Sequence, residues 1–121
     1  MKTVLLIEDE KILRDILGES LQAEEFSVFS APDGEAGLAI ALKENPDIIL
    51  LDVILPKLSG LEVLKKIRED PLLAKTPVIL LTNLEDQEVM RAAEDGFAQV
   101  LVKGNYGFEE IVKKVKEILS R

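Results

Sequence analysis

The sequence predicts an α/β domain on an open, doubly wound parallel sheet with strand order 2-1-3-4-5. Five short apolar segments alternate with five helical patterns, as successive βα units do. Four of these segments are unbroken runs of leucine and β-branched residues, the composition of strands covered on both faces. A chain of 121 residues with five such units falls short of the roughly eight that close a barrel, which leaves an open sheet.

The elements follow in order. Val4, Leu5, Leu6 and Ile7 form the first strand. Ile12, Leu13, Ile16, Leu17 and Leu21 then fall on one helical stripe, with Asp9 placed to cap its start. The second strand, residues 26–30, partly alternates apolar and polar side chains, which suits a sheet edge with one face in water. Asp33 and Gly34 open a small-residue helix that ends near Asn45 and Pro46. Residues 48–51 are the third strand, and Leu61, Leu64 and Ile67 mark a third helix closed near Asp70 and Pro71. Residues 78–81 are the fourth strand, followed by a helix over 85–95 with Gly96 as its C-terminal glycine. Residues 100–102 are the fifth strand, and Phe108, Ile111, Val112, Val115, Ile118 and Leu119 define the last helix. An edge position for the second strand and interior positions for the first, third and fourth give the order 2-1-3-4-5. The expected organisation is one domain over residues 1–121, with no output domain after the last helix.

Composition narrows the chemistry. Without cysteine or histidine, disulfides, thiolate metal sites and an imidazole base are excluded. The formal net charge of −8 argues against direct nucleic-acid binding and suits hard cations or basic partner surfaces. The apolar runs are far too short to span a membrane, and the start is not a signal peptide, so a cytoplasmic location is expected.

In open α/β sheets, ligands bind beyond the carboxyl ends of the strands, at the switch point of the strand order. The first strand ends into Glu8 and Asp9, the third into Asp52, the fourth into Thr82 and Asn83, and the fifth into Lys103. Each has an ordinary reading: Asp9 a helix cap, Glu8 a solvated rim charge, Asp52 and Thr82 turn residues, Lys103 a surface lysine. Their convergence on one end of one sheet favours a site. Two carboxylates about 4 Å apart repel by roughly 4 kcal/mol at an effective dielectric near 20. Either one of the three acids protonates or a cation sits among them. Oxygen ligands without sulfur or imidazole favour a hard ion, and few carboxylates describe Mg²⁺ better than Ca²⁺. A carboxylate beside Mg²⁺ can attack an activated phosphoryl group, with the lysine and hydroxyl stabilising the transferred charge.

These residues, in this order and spacing, resemble the receiver domain of two-component response regulators, including the single-domain chemotaxis type, over essentially the whole chain. Glu8 and Asp9 look like the family's metal-binding pair. Asp52, with Pro56 and Gly60 behind it, looks like the phosphoacceptor and its loop. Thr82 matches the switch hydroxyl and Lys103 the phosphate-binding lysine. The resemblance implies a flavodoxin-like (βα)5 fold and a phosphoacceptor switch rather than an enzyme. It implies a sensor histidine kinase or histidine phosphotransfer protein as phosphoryl donor to Asp52. It also implies Mg²⁺ held by Asp9, Asp52 and the backbone carbonyl of Ile54, with Glu8 acting mainly through water. An output partner would read the face of helix four, strand five and helix five, and homodimerisation on phosphorylation is compatible with this pattern.

The chain departs from the family pattern at several positions. Val100 stands where an aromatic switch residue is common, Asn83 where a small residue is usual, and Gly104 where proline usually follows the lysine, with Tyr106 just beyond. Ile54 and Leu84 are apolar where polar groups often place a hydrolytic water. Three alternatives stay open on the sequence: a phosphorylation-independent binding or scaffold module of the same fold, a Mg²⁺-dependent phosphohydrolase, and a flavin carrier. The second lacks an acid two residues after Asp52. The third lacks a Ser/Thr/Gly-rich loop after the first strand.

Overall fold

The computed structural model of the chain describes residues 1–83, 86–105 and 107–120. Its elements run β1 (Thr3–Ile7), α1 (Lys11–Ala23), β2 (Ser27–Ala31), α2 (Gly34–Glu44), β3 (Ile48–Asp52), α3 (Gly60–Glu69), β4 (Val78–Thr82), α4 (Gln87–Asp95), β5 (Gln99–Val102) and α5 (Phe108–Leu119), with a 3-10 turn at Lys103–Asn105. All strands pair in parallel, in the order β2-β1-β3-β4-β5. This is the sheet the sequence predicted. No helix among the described residues is long and apolar enough to cross a membrane.

The apolar runs are unbroken because successive residues point to opposite faces and both faces are covered. Val4, Leu6, Ile48, Leu50, Ile79, Leu81 and Leu101 pack on one side against Leu17 and Leu21 of α1 and Ile111, Val112 and Val115 of α5. Leu5, Ile7, Ile49, Leu51, Val78 and Leu80 pack on the other against α2, α3 and α4, through Ala41, Val63, Leu64, Ile67, Val89 and Ala93. Every apolar position assigned to the last helix joins the first of these cores, with Phe108, Ile118 and Leu119 partly buried at its margin.

Several local expectations change. β2 starts one residue later than expected, and Phe26 is buried just ahead of it. Val28 packs on one core and Phe29 on the other, so β2 is an edge by its place in the sheet and not by a wet face. In α1 the stripe divides: Leu17 and Leu21 are buried, while Ile12 is 69% exposed. Asp9 does not cap α1; Glu10 holds the N-cap position and makes no side-chain cap bond. α4 begins at Gln87, where Asp86 accepts from the amides of Glu88 (2.7 Å) and Val89 (3.4 Å). Glu85, expected inside that helix, lies outside the described residues, as does Arg121. Gly96 closes α4 with φ −94°, and the left-handed residue is Phe97 at φ 53°. Gly96 is needed for space, since a β-carbon there would press on Leu64.

Helix starts and close approaches set the loops at the carboxyl edge. Asp33 caps α2 by accepting from the Ala36 amide at 2.7 Å, and Ser59 caps α3 by accepting from the Glu62 amide at 3.3 Å. A β-carbon on Gly60 would overlap the Asp52 carbonyl oxygen, and one on Gly34 would overlap the Leu58 carbonyl oxygen. Both glycines therefore let the β3–α3 loop fold tightly under Asp52.

Candidate functional site

The carboxyl ends of the central strands finish nearly level. Ile7 is paired with Leu51, Asp52 with Leu81, and Thr82 with Val102. Glu8 therefore leaves β1 beside Asp52, the last residue of β3. One oxygen each of Glu8, Asp9 and Asp52 lie within 4.8 Å of one another. Glu8 and Asp52 are buried and Asp9 is exposed. Lys103, one residue past β5, enters the same site. Its Nζ lies 2.8 Å from Glu8 Oε1 and 3.1 Å from Asp52 Oδ2. The other Glu8 oxygen accepts from the Glu10 amide at 3.2 Å.

The structure thus brings together Glu8, Asp9, Asp52 and Lys103. Thr82 ends β4, one residue past the partner of Asp52, and is buried. With Val53, Ile54, Leu55 and Asn83 it lines a cavity of about 430 Å³. Ile54 lies in the β3–α3 loop and is 74% exposed. Val100 is aligned with Leu80 and packs into the core on the α3–α4 side. The Lys103–Gly104 peptide is trans, and the chain passes directly into the 3-10 turn. Leu84 and Tyr106 lie outside the described residues.

Burial disfavours the charged form of Asp52, and the neighbouring Glu8 carboxylate adds to this; Lys103 opposes both, and the net effect pushes Asp52 up to about 7. Burial acts the same way on Glu8. There it is outweighed by hydrogen bonds to Lys103, Asp52 and the Glu10 amide, so the Glu8 pKa ends below its ordinary value of 4.5. Burial would lower Lys103, but its contacts with Glu8 and Asp52 raise it instead. Near neutrality, then, the pair holds an ionised Glu8 and an Asp52 that is partly protonated until a further positive charge arrives. A hard dication suits this donor set, since it offers oxygens alone, two of them buried and one open to solvent.

Sequence reasoning missed Arg14. Its guanidinium donates to the backbone carbonyls of Glu8 and Asp9. The one available signal was its place, one helical turn beyond the acidic pair. Lys57, which reaches Asp33 at 3.7 Å across two loops, and Arg68, which donates to the carbonyls of Gly96, Leu73 and Thr76, carried no such signal.

Residues 4–116 match the response regulator receiver domain family. The chain is 36% identical over 126 residues to the probable transcriptional regulatory protein TcrX of Mycobacterium tuberculosis, covering 98% of this chain and 50% of that protein. It spans about half the length of the curated relatives it matches. The chemotaxis protein CheY4 of Vibrio cholerae superposes with a TM-score of 0.88 at 30% identity, covering 97% of this chain and 98% of that one. The response regulator protein TrrA of Thermotoga maritima, solved in complex with Mg²⁺-BeF, superposes with a TM-score of 0.84 at 32% identity, covering 97% of this chain and 98% of that one.

Proposed function

Since the chain belongs to the response-regulator receiver family, we propose that residues 1–121 form one receiver domain in which Asp52 accepts a phosphoryl group from a phosphohistidine. The cluster of Glu8, Asp9 and Asp52 is the active site a receiver uses for aspartate phosphorylation. The chain is a phosphoacceptor switch, and its family fits a histidine kinase or histidine phosphotransfer protein as donor. The observation that carries the reading is the meeting of three carboxylate oxygens within 4.8 Å, with Lys103 bonded to two of those residues.

The chemistry assigned to each residue is the one the family resemblance implies, and the positions of Glu8, Asp9, Asp52 and Lys103 are compatible with it. An Asp52 carboxylate oxygen attacks phosphorus, an O–P bond forms, and the P–N bond to the donor imidazole breaks. The released imidazole nitrogen takes up a proton, and Asp52 carries an acyl phosphate. Mg²⁺, held by Asp9, Asp52 and the Ile54 carbonyl with Glu8 acting through water, would offset negative charge on the phosphoryl oxygens. Lys103 then pairs with the bound phosphate, and the Thr82 hydroxyl turns toward it. The new group carries about −1.5 to −2 charge, by analogy with other phosphorylated side chains, in place of the single negative charge of the carboxylate. That charge biases the β4–α4 loop and the α4–β5–α5 face, where an output partner or a second copy of the chain would bind.

Incubation with a small acyl phosphate, with and without Mg²⁺, tests the reading by intact mass. A single phosphoryl increment is expected on the wild type with Mg²⁺, and none on Asp52→Asn. An unchanged wild-type mass would favour a phosphorylation-independent binding module.

A further inference from the structure

The β1–α1 turn carries two of the three clustered acids, so its backbone sets where their carboxylates point. Two kinds of contact hold that turn. Lys103 and the Glu10 amide hold the Glu8 carboxylate. Arg14 holds the peptide carbonyls: its NH1 donates to Glu8 O at 2.9 Å and to Asp9 O at 3.3 Å. The Arg14 amide also bonds Glu10 O at 2.9 Å, which fixes the guanidinium stem to the helix that follows the turn. Glu10 supplies no side-chain cap to α1. The guanidinium thus ties the turn to α1 where a side-chain cap would otherwise do so.

From this geometry we propose that Arg14 is a positioning residue for the metal-binding acids, fixing the Glu8 and Asp9 carbonyls toward α1 so that both carboxylates face Asp52. The inference rests on the reading that Glu8, Asp9 and Asp52 hold Mg²⁺. A Mg²⁺ site demands near-ideal geometry, so a looser turn lowers affinity. The charge on Arg14 acts in the opposite direction, because a guanidinium near the acids repels a dication. Removing Arg14 therefore weakens Mg²⁺ binding if positioning dominates and tightens it if charge dominates.

Calorimetric titration of Mg²⁺ into the full chain separates these effects. The proteins are the wild type, Asp52→Asn, Arg14→Gln, Arg14→Lys and Lys11→Gln. Lys11 is an exposed cation on the same turn of α1, paired with exposed Asp15, and its loss removes one positive charge from that turn without removing a hydrogen bond to the Glu8 or Asp9 carbonyl. Arg14→Gln should weaken Mg²⁺ by about tenfold, the low end of what residues supporting metal ligands contribute. Arg14→Lys should fall between it and the wild type, because an ammonium lacks the rigid fork. Lys11→Gln should bind no more weakly than the wild type. Equal or tighter binding by Arg14→Gln overturns the inference. If Arg14→Gln does not fold, Arg14→Lys decides: weaker binding supports the role and unchanged binding overturns it. A wild type that binds no Mg²⁺, or an Asp52→Asn variant that binds it equally well, overturns the metal reading itself and this inference with it.

Discussion

The Lys103 ammonium lies 3.1 Å from Asp52 Oδ2, and the same nitrogen lies 2.8 Å from Glu8 Oε1. Without a metal ion it is the cation that lets two buried acids share one pocket. Lys103→Met removes that cation and leaves Glu8 and Asp52 facing each other, and breaking a buried pair costs more than the pair is worth. We expect Lys103→Met to lose about 2 kcal/mol of stability at pH 8 in chelator, measured by urea unfolding. Excess Mg²⁺ should restore much of the loss. A variant as stable as the wild type in chelator would mean that the ammonium does not compensate the acids.

The titration of Asp52 gives the metal-free protein a definite pH dependence. Its folded pKa is raised to about 7 from an ordinary 3.8. Protonation is therefore favoured in the folded state, and the associated stability is complete below the ordinary value. It is lost as pH rises through about 7. Glu8 has the opposite sign: its pKa is lowered from 4.5, so its contribution is present above that value and lost as pH falls through the lowered one. In chelator, the melting temperature should fall between pH 5 and pH 8. Asp52→Asn should remove most of that slope and stabilise the protein at pH 8 by about 2 kcal/mol, less than full linkage because solvent reaches the site rim. Identical slopes for the two proteins would show that Asp52 is not the group responsible.

The sheet order was legible because the β3 and β4 runs are buried along their whole length and β1 nearly so, while β2 carries serines among its apolar residues. That contrast survives in composition. The acids and Lys103 were legible because parallel strands finish level, so residues after separate runs fall at one edge. Cap geometry was less legible. Asp9 is a good capping residue by type, but its oxygen lies with those of Glu8 and Asp52, and no local pattern reports that competition. Gly96 is a good helix terminator by type, yet its small size serves the approach of Leu64 and the left-handed position passes to Phe97. The exposure of Ile12 escaped a helical stripe because a stripe records spacing and not how wide a surface the sheet offers.

The loop under Asp52 depends on glycine for space. The Gly60 amide donates to Val53 O at 2.8 Å, and a β-carbon there would overlap the Asp52 carbonyl. Gly60→Ala should cost about 2–3 kcal/mol and reduce acyl-phosphate labelling of Asp52. Gly18, in α1, has open space around it: a β-carbon there would meet nothing within 4 Å. Gly18→Ala should instead stabilise by about 0.5–1 kcal/mol through helix propensity alone. Thermal unfolding of the two variants should shift in opposite directions; a Gly60→Ala variant as stable as the wild type would mean that the loop has room the structure does not show.

Loss of phosphate from Asp52 requires a water oxygen to attack phosphorus while the bond to the carboxylate oxygen breaks. Two residues after Asp52, Ile54 is 74% exposed, and its side chain can neither donate to that water nor accept its proton. Thr82 and Asn83 line the adjoining cavity, but on the reading proposed above Lys103 pairs with the phosphate once Asp52 carries it and is not free to place a water. The phosphorylated form should therefore persist for minutes or longer. Ile54→Asp, which adds an acceptor on this exposed rim, should shorten its lifetime by about tenfold, less than the roughly hundredfold at the lower end of general-base effects, because nothing else on the rim fixes the new carboxylate. Decay of the phosphorylated mass after removal of the acyl phosphate donor measures both. A wild-type lifetime of a few seconds would mean that another group already positions the attacking water.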